Sequence, residues 1–270
     1  MDNTSNFIEI SKSEKIWAIG SIHSNLKSFN SIKKFILKNF NKDDKLIFLG
    51  NIIGLGDDSK ETLTSVLDLR FNLMAKFKLK PEAIIFLRGA QEEMFSKLLQ
   101  LQLAPNPTEI IQWMFEHGVN KTLNSYGFSE DDIKNTASSG TLKISKWTSL
   151  LNNTVKMYPG HSQYFLNLKH AAYSHTKKIL FVNRGVDITR PLSAQNDCFW
   201  WGFQNFSKIQ EPYNTFLRIV RGYESKHSNQ LENSKNNVVC TLFKQPLTNK
   251  NILCGIFTEN GDILDLFENN

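Results

Sequence analysis

The strongest constraint on the fold is a strand, loop and helix pattern that occurs three times in the first part of the chain. Each unit begins with a short apolar run, continues through a loop and ends in a stretch whose apolar residues recur at helical spacing. The apolar runs are Lys15–Ile22, Lys45–Asn51 and Ala83–Gly89, and the helical stretches are Leu26–Phe40, Lys60–Phe77 and Glu92–Leu103. Such units in series predict a layered α/β fold with any functional site at the carboxyl ends of the strands.

The remainder of the chain is first helical and then strand-like. Helical spacing from Pro107 to Val155 predicts a helical insertion at about residues 104–157. Five strand-like runs follow at Ile179–Val182, Leu217–Val220, Val238–Phe243, Ile252–Phe257 and Ile263–Phe267, with a hairpin turn at Glu259–Asp262 and a polar, mobile loop at Ser225–Asn237. No Pro/Gly/Ser-rich linker interrupts the chain. We therefore expect one domain, residues 1–270, in which two sheets pack between helices in four α-β-β-α layers.

Composition narrows the functional classes. Hydrophobic residues make up 40% of the chain, which excludes wholesale disorder. No run reaches the roughly 18 apolar residues of a membrane helix, and the first residues are too polar for a signal peptide. Cys198, Cys240 and Cys254 are odd in number and widely spaced, as expected of free thiols in a cytoplasmic protein. The net charge of +6 comes without a nucleic-acid motif, so that class of partner ranks last.

Short motifs lie in the loops after the predicted strands. They read G-S-I-H-S at residues 20–24, G-N-I-I-G-L-G at 50–56, G-A-Q-E at 89–92, T-L-N-S-Y-G at 122–127, V-N-R-G at 182–185 and V-R-G-Y at 220–223. In order and spacing this series resembles the calcineurin-like metallophosphoesterases, specifically the bacterial relatives of serine/threonine phosphatases. The corresponding family motifs are G-D-x-H-G, G-D-x-x-D-R-G, G-N-H-E, T-L-x-S-Y-G, V-H-A-G and V-x-G-H. The resemblance runs from about residue 15 to residue 267.

The resemblance implies a reaction and a set of metal ligands. In that family two neighbouring divalent cations activate a bridging water and clamp the phosphoryl oxygens. The six ligand positions correspond here to Ser21, His23, Asn51, Ala90, Asn183 and Tyr223, of which His23 alone keeps the family's residue type. The supporting acid, arginine and histidine are replaced by Gly54, Leu55 and Gln91, whereas Glu92 is retained.

Glycines remain at the tight positions of these loops, while the residues that should hold metal are changed. Without a carboxylate at a ligand position, nothing offsets two divalent charges in a buried site. We therefore expect no di-metal centre and no metal cofactor. If the chain is enzymatic, the resemblance implies manganese, iron or zinc. His23 could serve as a single-metal ligand or base, or as a hydrogen-bonded structural residue.

Three arginines are candidate ligand-binding residues, because a guanidinium can hold a phosphate without metal. Arg88, Arg184 and Arg221 all lie near the ends of predicted strands, and Arg88 and Arg221 are more readily explained as scaffold residues. The aromatic run Phe199–Phe203, with Trp113, could form an exposed partner surface or core, and we expect core. His161, His170 and His175 match no zinc spacing and are expected at the surface.

Two functional classes follow from these residues. The first is a pseudophosphatase, which keeps the metallophosphoesterase fold without its reaction and acts by binding a protein or a phosphorylated ligand. The second is a phosphoesterase with a weak or single-metal site at His23, Asn51 and Asn183, helped by Arg184 and Arg221. Nucleic-acid binding remains a third class and predicts affinity that falls steeply with salt.

Overall fold

Two five-stranded sheets form the centre of the protein. The computed structural model describes residues 6–195, 197–202, 206–223, 238–243 and 252–268. The first sheet has the order β10-β9-β2-β3-β4 and contains β2 (Ile16–Ile19), β3 (Lys45–Phe48), β4 (Ile84–Phe86), β9 (Leu253–Phe257) and β10 (Ile263–Glu268). The second sheet has the order β1-β5-β6-β7-β8 and contains β1 (Phe7–Ile10), β5 (Ala171–Ser174), β6 (Ile179–Val182), β7 (Arg218–Arg221) and β8 (Val239–Thr241).

The sheets pack face to face because successive strand residues point to opposite faces. In β2, Ile16 and Ala18 belong to the apolar core between the sheets, whereas Trp17 and Ile19 face the helical layer. In β6 the same alternation places Phe181 between the sheets and turns its neighbours toward the outer layer of the second sheet. Strands buried on both faces explain the nearly continuous apolar runs in the sequence.

Helices cover the first sheet and extend away from it. The helices of the described residues are α1 (Leu26–Asn39), α2 (Ser59–Phe77), α3 (Ala90–Leu98), α4 (Pro107–Glu116), α5 (Val119–Ser125), α6 (Glu130–Ala137), α7 (Thr141–Lys156), α8 (His161–Leu166) and α9 (Cys198–Trp201). The outer layer on the second sheet is thinner, because it is built from α9 and short turns around Phe199, Phe206 and Tyr213. In the described part of the chain, no helix has the length and apolarity of a membrane span.

The predicted α/β fold is confirmed, and the strand predictions hold to within a few residues. Two strands were missed: β1 carries an exposed Glu9, and β5 consists of small residues without a clear apolar run. The hairpin at Glu259–Asp262 is present, with the Thr258 N–H donating to the Asp262 carbonyl at 2.9 Å. The loop expected at Ser225–Asn237 lies outside the described residues.

The expected residue environments are partly met. All three cysteines are free thiols; Cys240 and Cys254 are buried, while Cys198 is partly exposed. Phe199 and Trp200 are core residues as expected, but Trp113 is 41% exposed and packs against Trp201 with ring centroids 5.6 Å apart. Phe203 lies outside the described residues.

The expectation of a surface position is wrong for His161. This side chain is buried, and its two ring nitrogens form hydrogen bonds with the hydroxyls of Tyr126 and Thr64, at 2.6 and 3.1 Å. These bonds replace the hydration that the ring would have at the surface. His170 is half-buried and His175 is exposed.

Candidate functional site

The loops at the carboxyl ends of the strands are joined by main-chain hydrogen bonds. The Ile22 and His23 N–H groups donate to the Asn51 carbonyl at 3.0 and 2.8 Å. The N–H groups of Gly222 and Tyr223 donate to the Asn183 carbonyl at 2.8 and 3.0 Å, and the Ser21 N–H donates to Gly222 at 2.9 Å. These bonds bring loops from both sheets together, so the six positions singled out in the sequence meet in one place.

Asn51 joins three of these positions into a hydrogen-bonded set of neutral side chains. The Asn51 amide nitrogen donates to Ser21 Oγ at 3.3 Å and to Asn183 Oδ1 at 3.5 Å. Asn51 Oδ1 accepts from the Gln91 N–H at 3.1 Å, and the Asn183 amide donates to the Leu49 carbonyl at 2.6 Å. Both asparagines are fully buried, so their hydrogen bonds within the protein satisfy groups that would be costly to leave unpaired.

Gln91 and Gly54 fit one another sterically. A Cβ atom at Gly54 would lie 2.0 Å from Gln91 Oε1, so the glutamine carboxamide occupies the space that a side chain at position 54 would need. The Gln91 amide donates to the His117 carbonyl at 2.8 Å, which holds it there. Ala90 precedes it as a small apolar residue at the start of α3. The residues at positions 54 and 91 are therefore sterically coupled.

His23 lies in an apolar, aromatic environment. Its ring makes edge contacts with Tyr223 and Phe243, at centroid distances of 5.0 and 6.2 Å. The side chain is 9% exposed, and neither ring nitrogen has a hydrogen-bond partner among the described residues. Burial lowers the pKa of His23 to about 3, because a charged imidazolium would lose its hydration without gaining a counter-charge. His23 is therefore a neutral imidazole at physiological pH.

Glu92 holds the loop after β3 in place. Its Oε2 accepts from the N–H groups of Asn51 and Gly89 at 2.7 and 3.1 Å. Its Oε1 accepts from Ile52 at 2.8 Å and Ile53 at 3.4 Å, and from the Tyr164 hydroxyl at 3.1 Å. Complete burial raises the pKa of Glu92, and the main-chain donors oppose that rise. The carboxylate that the sequence retains is thus fully engaged by main-chain and hydroxyl donors.

The loop backbone is unusual at several of these residues. His23, Ser24, Asn51 and Leu55 have φ between 48 and 60°, in the left-handed region that residues other than glycine rarely adopt. A buried hydroxyl chain supports the conformation, since Ser59 Oγ lies 2.6 Å from Ser24 Oγ. Backbone strain of this kind is typical of functional loops and persists only when surrounding contacts enforce it.

The T-L-N-S-Y-G motif fastens α5 to these elements. Thr122 Oγ1 lies 3.0 Å from Ser59 Oγ, which continues the hydroxyl chain from the loops. Ser125 Oγ accepts from the Lys60 N–H at 3.2 Å, and the Tyr126 hydroxyl lies 2.6 Å from His161 Nδ1. The motif therefore has a structural role in joining the helical segment to the start of α2.

The three candidate arginines occupy different surroundings. Arg88 pairs with Glu93 at 2.5 Å, and its guanidinium lies 5.8 Å from the Trp200 ring centroid. Arg221 is buried, donates from Nε to Thr241 Oγ1 at 2.8 Å, and packs 4.3 Å from the centroid of the Phe206 ring.

Arg184 packs against one of the six gathered positions. Its guanidinium lies 5.5 Å from the Tyr223 ring centroid, and its aliphatic stem fills the space beside Gly202. Arg221 is the last residue of β7, whereas Arg88 and Arg184 lie two residues beyond the ends of β4 and β6, and the environment of each is set by contacts with segments distant in the chain.

Two residues of the site were missed in the sequence. Phe243 completes the aromatic surroundings of His23, and Tyr164 donates to Glu92. Phe243 follows the apolar run of β8 and looks like any core aromatic, while Tyr164 sits in the short helix α8. Neither carries a local signal, since both act through partners far away in the chain.

Metal-ligand side chains do not cluster in the part of the chain that the structure describes. No group of three or more His, Cys, Asp or Glu side chains there could together hold a metal ion. At the six gathered positions the donor groups are two hydroxyls, two amides and one neutral imidazole.

Comparison with known proteins identifies the fold. No protein-family model and no curated protein sequence matches this chain. One similar solved structure is described as a candidate diadenosine tetraphosphatase; it has a TM-score of 0.56 and 11% identity, covering 97% of this chain and 96% of that chain. Another is a serine/threonine phosphatase from Saccharomyces cerevisiae, with a TM-score of 0.50, 16% identity and coverages of 97% and 82%. At such identities the likeness shows a phosphoesterase-like fold.

Proposed function

We propose that this protein is a pseudophosphatase, which keeps the phosphoesterase-like fold and acts by binding a protein or a phosphorylated ligand. The observation that carries the proposal is the set of neutral side chains at the gathered loops, in which Asn51 donates to both Ser21 and Asn183. These neutral groups bind one another at the positions where the resemblance places metal ligands. The proposed function is then recognition of a protein or a phosphorylated ligand by the surface of this fold.

The donor set does not fit the two divalent cations that the resemblance implies. Hard cations require anionic oxygens, and a dinuclear site also needs a carboxylate that bridges the ions. The side chains of Ser21, Asn51 and Asn183 are uncharged. Burial lowers the pKa of His23 to about 3, so its imidazole is also neutral at physiological pH. Glu92 accepts five hydrogen bonds and supports the loop. No other carboxylate belongs to the gathered positions.

The groups that would assist phosphoryl transfer are also replaced. Leu55 stands where the resemblance places an arginine directed at phosphate, and Gln91 stands where it places a histidine that protonates the leaving group. Neither residue can stabilise a developing charge by an ionic contact or move a proton near neutral pH. The metal-ligand positions, the position of the phosphate-directed arginine and the position of the proton-donating histidine therefore all support a function without phosphoryl transfer.

His23 favours a second candidate function, a phosphoesterase with a single-metal site. Both ring nitrogens lack a hydrogen-bond partner among the described residues, and a neutral imidazole is a good ligand for a transition ion. Asn51 and Asn183 could supply neutral oxygens beside it. This candidate requires activity with added metal that disappears on His23→Ala.

Metal content and turnover, measured on one preparation, test the proposal. After incubation with manganese, iron or zinc and removal of excess metal, elemental mass spectrometry should find well below one ion per chain. Hydrolysis of an aryl phosphate with added manganese should equal that of the His23→Ala variant, with His175→Ala as the exposed control. Two ions per chain would refute the proposal, and activity lost in His23→Ala but kept in the control would favour the second candidate.

Restoring the implied ligands provides a positive control for the metal assay. The combined variant Ser21→Asp, Asn51→Asp, Ala90→Asn, Asn183→His and Tyr223→His should bind two manganese ions per chain, because the loops are joined by main-chain bonds that these substitutions keep. Circular dichroism checks that the variant folds. A folded variant with no metal would show that the loop geometry has departed from that of a metal site.

Two further features belong to the same proposal. The free thiols Cys198, Cys240 and Cys254 are consistent with a reducing, cytoplasmic location. The motifs favour the bacterial branch of the family, with residues 1–270 as a single domain and a helical insertion at about 104–157. Limited proteolysis that yields one resistant core would support the single domain.

A further inference from the structure

A basic pocket lies between α3, α7 and α8, away from the gathered loops. Its volume is about 360 Å³, and none of the six positions discussed above lines it. The polar lining residues on α3 and its flanks recur three and four positions apart, which places them on one helix face. The polar side chains that the argument uses are Arg88, Glu93, Ser96, Lys97, Lys156 and Ser162.

The pocket carries an excess of positive charge. Arg88, Lys97 and Lys156 are its cations, and Glu93 is the one acid in its lining. Glu93 lies 2.5 Å from Arg88 and 3.8 Å from Lys97, so a single carboxylate is shared between two cations. Three positive charges against one negative charge leave two positive charges for a ligand to balance.

Several polar groups of the pocket lack a partner within the described chain. Arg88 uses NH1 for Glu93, while its Nε is buried without a hydrogen-bond partner. Ser96 Oγ is likewise buried and unpaired, although a helical serine can usually bond a main-chain carbonyl one turn earlier. Buried donors of this kind cost free energy unless something binds them. Both atoms have almost no exposed surface, so they raise the free energy of this wall of the pocket without offering contact surface to a ligand.

One part of the lining is apolar. Val155 and Phe165 are buried side chains of the pocket, and Leu166 is 81% exposed at its rim. A ligand that fits this pocket therefore has an anionic group for the basic side and an apolar or aromatic remainder for the other side.

We propose that this pocket binds a small organic phosphomonoester. A phosphomonoester carries close to two negative charges at pH 7 and three oxygens that accept charge-assisted hydrogen bonds, which matches the two unbalanced positive charges. A carboxylate or a sulfate ester, each with one negative charge, balances half of that excess. The inference rests on the proposed binding function and locates it at the Arg88 pocket, away from the place where the resemblance expects metal.

The test measures binding of phenyl phosphate by calorimetry, with phenyl sulfate as a probe of similar shape and lower charge. The wild-type protein should bind phenyl phosphate about tenfold more tightly than phenyl sulfate. The Lys97→Ala/Lys156→Ala variant removes two exposed cations and should weaken phenyl phosphate binding by about tenfold. Ser162→Asp places a negative charge in the pocket and should abolish binding.

Matched controls keep the outcome specific. The Lys143→Ala/Lys146→Ala variant removes the same charge from α7 outside the pocket and should bind as the wild type does. Equal affinity for the two probes, absence of binding, or binding that survives Ser162→Asp in a folded protein would overturn the proposal. Binding lost in Arg184→Ala but kept in the pocket variants would place the ligand at the gathered loops instead and overturn it as well.

The same assay separates this inference from the pseudophosphatase proposal. Release of phenol together with two bound metals per chain would refute the pseudophosphatase proposal, and the pocket would still be judged by its own variants. Failure of binding with no metal and no phenol would refute the pocket alone.

Discussion

Replacing Glu92 with glutamine should lower the free energy of unfolding by about 3 kcal/mol. The substitution keeps the shape of the side chain but turns an NH₂ group toward main-chain donors that now face a carboxylate oxygen. Asn51 and Gly89 would lose their acceptor, or Ile52 and Ile53 would, because either oxygen position serves two N–H groups. Buried donors without acceptors cannot recover these bonds from water.

Chemical denaturation measures the decrease in unfolding free energy, and a second variant serves as the control. Glu116→Gln, on the exposed face of α4, should change the unfolding free energy by less than about 0.5 kcal/mol. Hydrogen exchange should also accelerate at the amides of residues 51–53 in the Glu92 variant and not in the control. A loss below about 1 kcal/mol with unchanged exchange at those amides would mean that Glu92 does not hold the loop.

Acidification should destabilise the protein strongly through His23. Its pKa in the folded state is about 3 because of burial, whereas in the unfolded chain it is about 6.5. Between these values the unfolded state binds a proton that the folded state does not, so stability is present above pH 6.5 and falls as the pH is lowered. At about 1.4 kcal/mol per pH unit, His23 alone removes about 3 kcal/mol between pH 6.5 and pH 4.

Replacing His23 with a residue that does not titrate tests whether His23 binds the proton that destabilises the fold. Asparagine tolerates positive φ and does not titrate in this range. In His23→Asn the slope of the unfolding free energy against pH should therefore fall by about 1.4 kcal/mol per pH unit, which corresponds to one proton. The slope does not vanish, because burial also lowers the pKa of His161 and of His170 to about 4. An unchanged slope in His23→Asn would show that His23 is already protonated in the folded protein.

Local sequence patterns predicted the strands that are buried on both faces. The runs around β2, β3 and β6 are continuously apolar because each strand packs between two layers. Strands β1 and β5 were not predicted because neither has a continuous apolar run. Glu9 interrupts β1, and small residues make up much of β5. The Phe199–Trp200 prediction as core held, since large aromatic side chains rarely stay exposed in a protein of this size.

The sequence by itself determined which chemical groups stand at the strand ends and which tight glycine positions remain, because both are properties of single residues in order along the chain. The tertiary structure alone decided that Asn51 bonds Asn183, which lies 132 residues away, and that Gln91 fills the space beside Gly54. It also decided that Glu92 supports the loop after β3 and that Arg88 faces a separate basic pocket. These facts depend on contacts between distant segments, and local propensity carries no information about such contacts.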